Sequence, residues 1–333
     1  MKELPRTFSN RSDSNRINYN MQNDWETSNS SSSLVSIGSR KLFLSVKGPS
    51  RVRGAPVVIV ETELGDFSSS WVVVQRLVSK FARCYTYDRA GYGQSEPSTE
   101  PRTATNIAKE LNALLQAANV DPPYVLVGHA FAGIAMREFL ALRPKDVVGM
   151  VLVDTLQEKS YKENDWPMDA VIAVLGKLNR MEVMGWTSEH KLTAEEWKQA
   201  RDLASREGIS DTRDREVEEE ASSSETLAEK KQFELQALGS YPLSVIKGST
   251  WRDMNRMYEA GVKAGNGTNE QREKFKTWLD KVDAIEERMQ KEQLHLSSRS
   301  RYIRPENGGH NMPVQQPEVI AAEVHWVLES LNE

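Results

Sequence analysis

The sequence has little of what several protein classes require. Its 333 residues contain a single cysteine, Cys84, so an internal disulfide is excluded and a reducing compartment is expected. No apolar run approaches the roughly 20 residues that a bilayer-spanning helix needs, and residues 1–33 lack the apolar segment of a secretory signal. The net charge of −5 gives no general attraction to nucleic acid or to anionic lipid. These absences favour a cytosolic protein with neither nucleic acid nor a membrane as its partner.

Metal and cofactor motifs are missing from the sequence as well. There is no cysteine pair, and no two histidines stand at the spacing that would put both on one face of a helix. Neither a phosphate-binding loop of the Walker type nor a dinucleotide-binding glycine pattern is present. The sequence therefore predicts no metal site and no cofactor.

The segments that are present divide the chain into four parts. Residues 1–33 are rich in serine, asparagine and charge, and they predict a disordered tail. Residues 34–156 alternate short apolar strand patterns with amphipathic helix patterns, which predicts a mostly parallel sheet covered by helices on both faces. Residues 157–240 form charge-heavy amphipathic helices and predict an inserted helical cap, after which 241–333 return to the core.

The stretch YVLVGHAFAGIAM, residues 124–136, carries the clearest chemical signal. An apolar strand runs into Gly128, His129, Ala130, Phe131, Ala132 and Gly133 and then into a helix. Small residues around a central position let a strand turn sharply into a helix and project the central side chain above the sheet. That central position, which normally holds a nucleophile, holds Ala130.

Four stretches taken together resemble the α/β-hydrolase fold. They are YDRAGYGQS at 87–95, YVLVGHAFAG at 124–133, VLVDT at 151–155 and GGHNMP at 308–313. The resemblance runs from about Leu34 to the end of the chain and weakens through the cap. It implies an α/β-hydrolase core with a catalytic order of serine, acid and histidine.

Carried over by position, the resemblance places the nucleophile at Ala130 and the general base at His310. The acid is expected at Asp154, which ends a strand, and Asp253 is the alternative. An alanine has no atom that can attack or be deprotonated. Either the chain is an inactivated serine-to-alanine form or it is a natural pseudo-enzyme; the first is favoured because the histidine loop is retained.

The predicted substrate pocket includes one departure from the family pattern. Its oxyanion donors are expected to be the backbone amides of Leu64 and Phe131. Glu63 stands where the family usually has glycine, so it is expected to contact substrate or to take part in proton transfer. Trp186, from the apolar positions of the cap, is the predicted substrate contact on that side.

The resemblance implies hydrolysis of a carboxylic ester or lactone of a small hydrophobic molecule. With Ala130, this activity is expected to be lost or nearly lost. Two alternatives remain open at this stage: a cyclase or isomerase that uses His310 and Glu63 without acylation, and a small-molecule receptor. The sequence leaves the identity of the substrate and the oligomeric state undecided.

Overall fold

The computed structural model describes residues 24–332. Its strands are β1 Ser30–Ser36, β2 Lys41–Lys47, β3 Val57–Glu61, β4 Cys84–Tyr87, β5 Tyr124–His129, β6 Val147–Val153, β7 Leu243–Ile246 and β8 Ser300–Ile303. The first helices are α1 Asp24–Thr27, α2 Val72–Val78, α3 Ala104–Ala117, α4 Ala132–Leu142, α5 Ser160–Glu163, α6 Met168–Leu175, α7 Arg180–Val183 and α8 Trp186–Glu189. The remaining helices are α9 Ala194–Ala204, α10 Ile209–Glu218, α11 Glu220–Ala228, α12 Thr250–Lys263, α13 Asn269–Glu292, α14 Met312–Gln315 and α15 Pro317–Ser330. Short 3-10 turns lie at Ser68–Trp71 and Gln293–Leu296.

The strands form one sheet in the order β1-β2-β4-β3-β5-β6-β7-β8. Strand β2 pairs antiparallel with both of its neighbours, and the other neighbouring strands pair parallel. Alternate residues of the central strands bury opposite faces: Ile59 and Leu126 face the side covered by α3 and α4, whereas Val60 and Val127 face α2 and α15. The prediction of a mostly parallel, doubly covered sheet is confirmed.

The predicted disorder of residues 1–33 is wrong where it meets the described residues. Residues 1–23 lie outside the described range, but α1 begins at Asp24 and β1 at Ser30. Every residue of β1 has a partner on β2, from Ser30 opposite Lys47 to Ser36 opposite Lys41. An edge strand can be held by its backbone hydrogen bonds with few buried side chains, so the serine-rich composition misled the prediction.

The cap is larger than the predicted segment 157–240. Helices α5 to α11 follow β6, and α12 and α13, which the sequence assigns to the core, pack against α6. Phe275, Leu279 and Val282 of α13 share one buried apolar cluster with Val171 and Val174 of α6. The charge-rich sequence of α13 hides this contact because its apolar residues occupy only one face. Within residues 24–332 no helix has the length and apolarity needed to cross a bilayer.

Candidate active site

The candidate site lies where the carboxyl ends of four parallel strands meet. Glu63 lies two residues after β3, Ala130 directly after β5, Asp154 directly after β6, and His310 in the loop after β8. All four line one cavity of about 560 Å³ between the sheet and the cap. Ligands commonly bind at this edge of an open α/β sheet, because the loops that follow the strands converge there.

The turn after β5 keeps a nucleophile-type conformation around a residue without a nucleophile. Ala130 has a φ of +50°, in the left-handed region that a side chain with a Cβ rarely adopts. Its amide donates to the carbonyl of Val153 at 3.2 Å, and its carbonyl accepts from the amide of Leu156 at 2.9 Å. A Cβ at Gly128 would lie 2.4 Å from the methyl carbon of Met136. Contacts with nearby residues of the same chain therefore hold the turn, whatever side chain position 130 carries.

His310 is oriented by Asp154. Its Nδ1 lies 2.7 Å from Oδ2 of Asp154, whose other oxygen accepts from the amide of Gly248 at 3.0 Å. Asp253, the alternative acid, accepts instead from the backbone amide of His310 at 2.9 Å. Of the two predicted carboxylates, the structure thus brings Asp154 to the imidazole and Asp253 to the loop that carries it.

Glu63 occupies the other side of the same imidazole. Its Oε2 lies 3.2 Å from Nε2 of His310, the atom that would accept a proton from a serine in the family's mechanism. Burial lowers the pKa of His310, but hydrogen bonds to Asp154 and Glu63 and their charges outweigh burial and raise it well above its ordinary value. Burial raises the pKa of Glu63, yet the proximity of His129 and the hydrogen bond and charge of His310 outweigh burial and lower it below its ordinary value. At neutral pH the imidazole is therefore a cation between two carboxylates.

His129 lies directly behind this group and is fully buried. Its Nε2 lies 2.8 Å from the carbonyl oxygen of His310, and its Nδ1 lies 3.8 Å from Oε2 of Glu63. Burial holds the pKa of His129 below its ordinary value, because an imidazolium would be poorly solvated there. The ring is neutral at pH 7, so the cation beside Glu63 is His310.

A buried arginine fixes the loop that carries Glu63. Arg89 donates to the carbonyl oxygens of Thr62 at 2.6 Å and of Glu63 at 2.7 Å. The same guanidinium forms ion pairs of 2.8 Å with Glu61 at the end of β3 and with Glu216 of α10 in the cap. Arg89 therefore positions Glu63 and joins the cap to the sheet.

The cavity walls come mainly from the cap. Leu64 and Phe131, the predicted oxyanion donors, both line the cavity. The structure corrects the prediction for Trp186, which lies outside this lining and contacts the guanidinium of Arg180 at 5.7 Å. Trp166 lines the cavity in its place and packs on Trp278 with ring centroids 4.5 Å apart. An apolar stripe indicates that a helix face is buried, but it does not indicate which neighbour that face meets.

The family assignment rests on a comparison with known proteins. Residues 54–323 match the model of the family described as "Alpha/beta hydrolase family". The chain belongs to this family. It is 34% identical over 312 residues to "Probable transporter efuK" of Hormonema carpetanum, covering 92% of this chain and 44% of that protein. It is 31% identical over 326 residues to an "AB hydrolase superfamily protein" of Gibberella zeae, covering 93% of this chain and 99% of that protein.

Solved structures of α/β hydrolases share the fold at low identity. A haloalkane dehalogenase variant from Bradyrhizobium elkanii, DbeA-M1, matches with a TM-score of 0.60 and 14% identity, covering 91% of this chain and 99% of that one. A serine hydrolase involved in carbazole degradation, CarC, matches with a TM-score of 0.60 and 13% identity, covering 90% and 99%. At these identities the likeness shows the fold alone.

This α/β hydrolase also carries a buried group that the sequence does not reveal. Lys247, at the end of β7, forms ion pairs with Asp283 at 3.1 Å and Glu286 at 3.6 Å, both on α13. Glu286 lines the cavity, and burial together with the charge of Asp154 raises its pKa to about 7. No motif marks these residues, because each lies in a charge-rich segment whose exposed neighbours look the same in sequence.

Proposed function

We propose that the cavity binds a carboxylic ester or lactone of a small hydrophobic molecule and that this chain forms no acyl-enzyme with it. The observation that carries the proposal is the Asp154–His310 pair, which shares one cavity with the Ala130 turn. The amides of Leu64 and Phe131 are the expected donors to the carbonyl oxygen of the substrate.

The size and chemistry of the cavity support a small, largely apolar substrate. About 560 Å³ suits a ligand of ordinary metabolite size. Trp166, Met184, Met254 and Met289 contribute apolar or thioether surface to the walls. Methionine side chains adapt to ligands of different shape, so the cap is expected to select for hydrophobicity more than for one outline.

The expected rate of turnover follows from the absence of a hydroxyl at position 130. Removing a serine nucleophile from a related triad typically costs about 10⁶-fold in turnover, whereas binding and oxyanion stabilisation remain. We therefore expect this chain to bind its ester without appreciable acylation.

Two variants test the proposal. Ala130→Ser restores the hydroxyl but leaves Glu63 on His310 Nε2, where it holds the imidazole protonated and unable to act as a base. Ala130→Ser combined with Glu63→Gly frees that nitrogen. We expect the double variant to hydrolyse aryl esters or lactones and to be labelled by a fluorophosphonate, and the single variant to do so at least about tenfold more slowly.

The matched control is the double variant with His310→Ala added, which should abolish labelling and turnover. A folded double variant that binds aryl lactones but neither hydrolyses them nor reacts with fluorophosphonate would contradict the proposed parent activity.

A second candidate function is favoured by the contact between Glu63 Oε2 and His310 Nε2 at 3.2 Å. In this candidate Glu63 removes a proton from the carbon next to a substrate carbonyl while the His310 imidazolium gives its proton to the carbonyl oxygen, forming the enol needed for isomerisation or cyclisation. The test is exchange of that carbon-bound hydrogen in D₂O, followed by proton NMR, with lactones and cyclic ketones as probes. Exchange by this chain that is lost in Glu63→Gln supports the candidate, and binding without exchange in either protein favours a receptor.

The predicted cytosolic location stays a prediction.

A further inference from the structure

Three potential metal ligands from distant parts of the chain converge at the floor of the cavity. Glu63, His129 and His310 each present one ligand atom, and these atoms lie within 4.8 Å of one another. We propose that the three side chains bind one divalent transition-metal cation, with Zn²⁺ the ion that suits them best. This inference is independent of the proposed function, because metal binding can be measured with no substrate present.

The hydrogen bonding of His129 leaves a lone pair aimed at this point. A carbonyl oxygen only accepts, so the contact of 2.8 Å with the His310 carbonyl places the ring hydrogen of neutral His129 on Nε2. Its Nδ1 then carries the lone pair; it is buried, has no hydrogen-bond partner, and lies 3.8 Å from Oε2 of Glu63. A nitrogen lone pair facing a carboxylate oxygen in a water-excluded place is unfavourable, and a cation bound by both atoms would remove the repulsion.

The second imidazole has the support that metal-binding histidines usually have. His310 pairs through Nδ1 with Asp154 Oδ2 at 2.7 Å, which directs Nε2 toward Glu63. A carboxylate behind a histidine in this way fixes the ring and increases its basicity toward a metal. When a cation binds, Nε2 gives up its proton and coordinates through the freed lone pair.

Two of the three ligand separations are close to those of a zinc site, and the third, between the two ring nitrogens, is within 4.8 Å. Two ligands about 2.1 Å from zinc at a tetrahedral angle lie about 3.4 Å apart. Oε2 of Glu63 lies 3.2 Å from Nε2 of His310 and 3.8 Å from Nδ1 of His129. Two histidines and a glutamate with one open position form a recurrent catalytic zinc site.

The open position would face the substrate cavity. Glu63 and His310 line it with Ala130, whereas His129 is fully buried beneath. A cation there could polarise the carbonyl oxygen of a bound ester. Simple sequence patterns miss the set, since the three residues stand at positions 63, 129 and 310.

Metal titration of the full-length protein tests the proposal. The protein is treated with a chelator, dialysed, and titrated with ZnCl₂ by calorimetry and with Co²⁺ by visible absorption. We expect one ion per chain, a dissociation constant of about 1 µM or lower, and Co²⁺ bands typical of nitrogen and oxygen ligands. Parallel titrations with Mn²⁺ and, under anaerobic conditions, Fe²⁺ identify the preferred ion.

Glu63→Gln is the ligand variant, and Glu273→Gln is its matched control because it makes the same change at an exposed carboxylate of α13, outside the cavity lining. We expect Glu63→Gln to weaken Zn²⁺ binding more than about tenfold, since even outer partners of metal ligands contribute 10- to 100-fold, and Glu273→Gln to leave it unchanged. Circular dichroism checks that both variants fold. In the unsubstituted protein, ¹⁵N NMR should show shifts of the ring nitrogens of His129 and His310 on adding Zn²⁺. Failure to bind one ion per chain, equal affinity in Glu63→Gln, or unmoved ring nitrogens would overturn the site.

Discussion

Two contacts that involve the cap are of opposite character. On the α10 side, Arg89 and Glu216 are a buried ion pair, with side chains 1% and 0% exposed, that joins the cap to the end of β3 and the loop after it. On the α6 side, an apolar cluster joins the first cap helices to α12 and α13. Ion pairs need every partner in place, whereas apolar packing tolerates small changes of shape. The first contact therefore fixes geometry at the site, and the second holds the cap helices together.

Breaking the buried ion pair should have the largest effect. Arg89→Met leaves Glu61 buried without its cation and leaves Glu216 with the longer ion pair to Arg102 at 3.5 Å. We expect a loss of about 3–5 kcal/mol in the free energy of unfolding, measured by urea denaturation. Arg76→Met is the matched control, because Arg76 of α2 pairs with Glu196 of α9 in another contact between core and cap but has a 44% exposed side chain. That loss should stay within about 1 kcal/mol. Equal losses in the two variants would show that burial of the pair is irrelevant.

Truncation in the apolar contact should rank next. Leu279 of α13 is 1% exposed within the shared cluster, and Leu279→Ala should cost about 2–5 kcal/mol through lost burial and the cavity left behind. Leu235→Ala, at a side chain 72% exposed, should change the free energy of unfolding by less than about 0.5 kcal/mol. If Leu279→Ala behaves like Leu235→Ala, then Leu279 does not pack in the cluster that α13 shares with α6.

The free energy of unfolding should depend on pH through Glu286, a carboxyl group in the cavity lining. The pKa of Glu286 is raised from 4.5 to about 7 by burial and the charge of Asp154, so folding favours its protonated form. Below about pH 4.5 the group is protonated in both the folded and the unfolded chain, so it does not lower the free energy of unfolding. As the pH rises from about 4.5 to about 7, the unfolded chain ionises more readily than the folded one, and the free energy of unfolding falls; above pH 7 the loss is constant. Glu286→Gln should therefore match the parent protein in acid and be more stable than it above pH 7.

Urea denaturation at several pH values measures this difference. Glu273→Gln, at an exposed position of the same helix, is the control and should show a difference from the parent that does not vary across this range. A Glu286→Gln profile that runs parallel to that of the parent would contradict the raised pKa.

The smallest effect is expected on ligand affinity, where substitutions of Trp166 and Trp186 should differ. Trp166→Ala removes part of the cavity wall and should weaken binding of a hydrophobic aryl lactone about tenfold, equivalent to about 1.4 kcal/mol. Trp186→Ala, outside the lining, should change the dissociation constant by less than about threefold, or 0.7 kcal/mol. Fluorescence or calorimetric titration measures both, and the reverse order would restore Trp186 as the substrate contact.

The sequence predicts the sheet and its turns because their signals are local. The apolar runs of β3 and β5, the small residues around Ala130 and the strand end before Asp154 are each visible within a few positions. Contacts between remote segments leave no such signal. The approach of Glu63 to His310 joins residues 247 positions apart, and the packing of α13 on α6 depends on which way a helix face turns.

The guanidinium of Arg89 contacts both α10 of the cap and the loop that carries Glu63 at the floor of the cavity. Arg89 uses its hydrogen-bond donors on α10 and on the main chain at residues 62 and 63, so the two cannot separate without stranding a charge away from water. A ligand whose binding moves α10 away from the sheet would also weaken the hydrogen bonds that hold the loop of Glu63. We therefore expect access to the cavity at this end and the position of Glu63 to be coupled through Arg89.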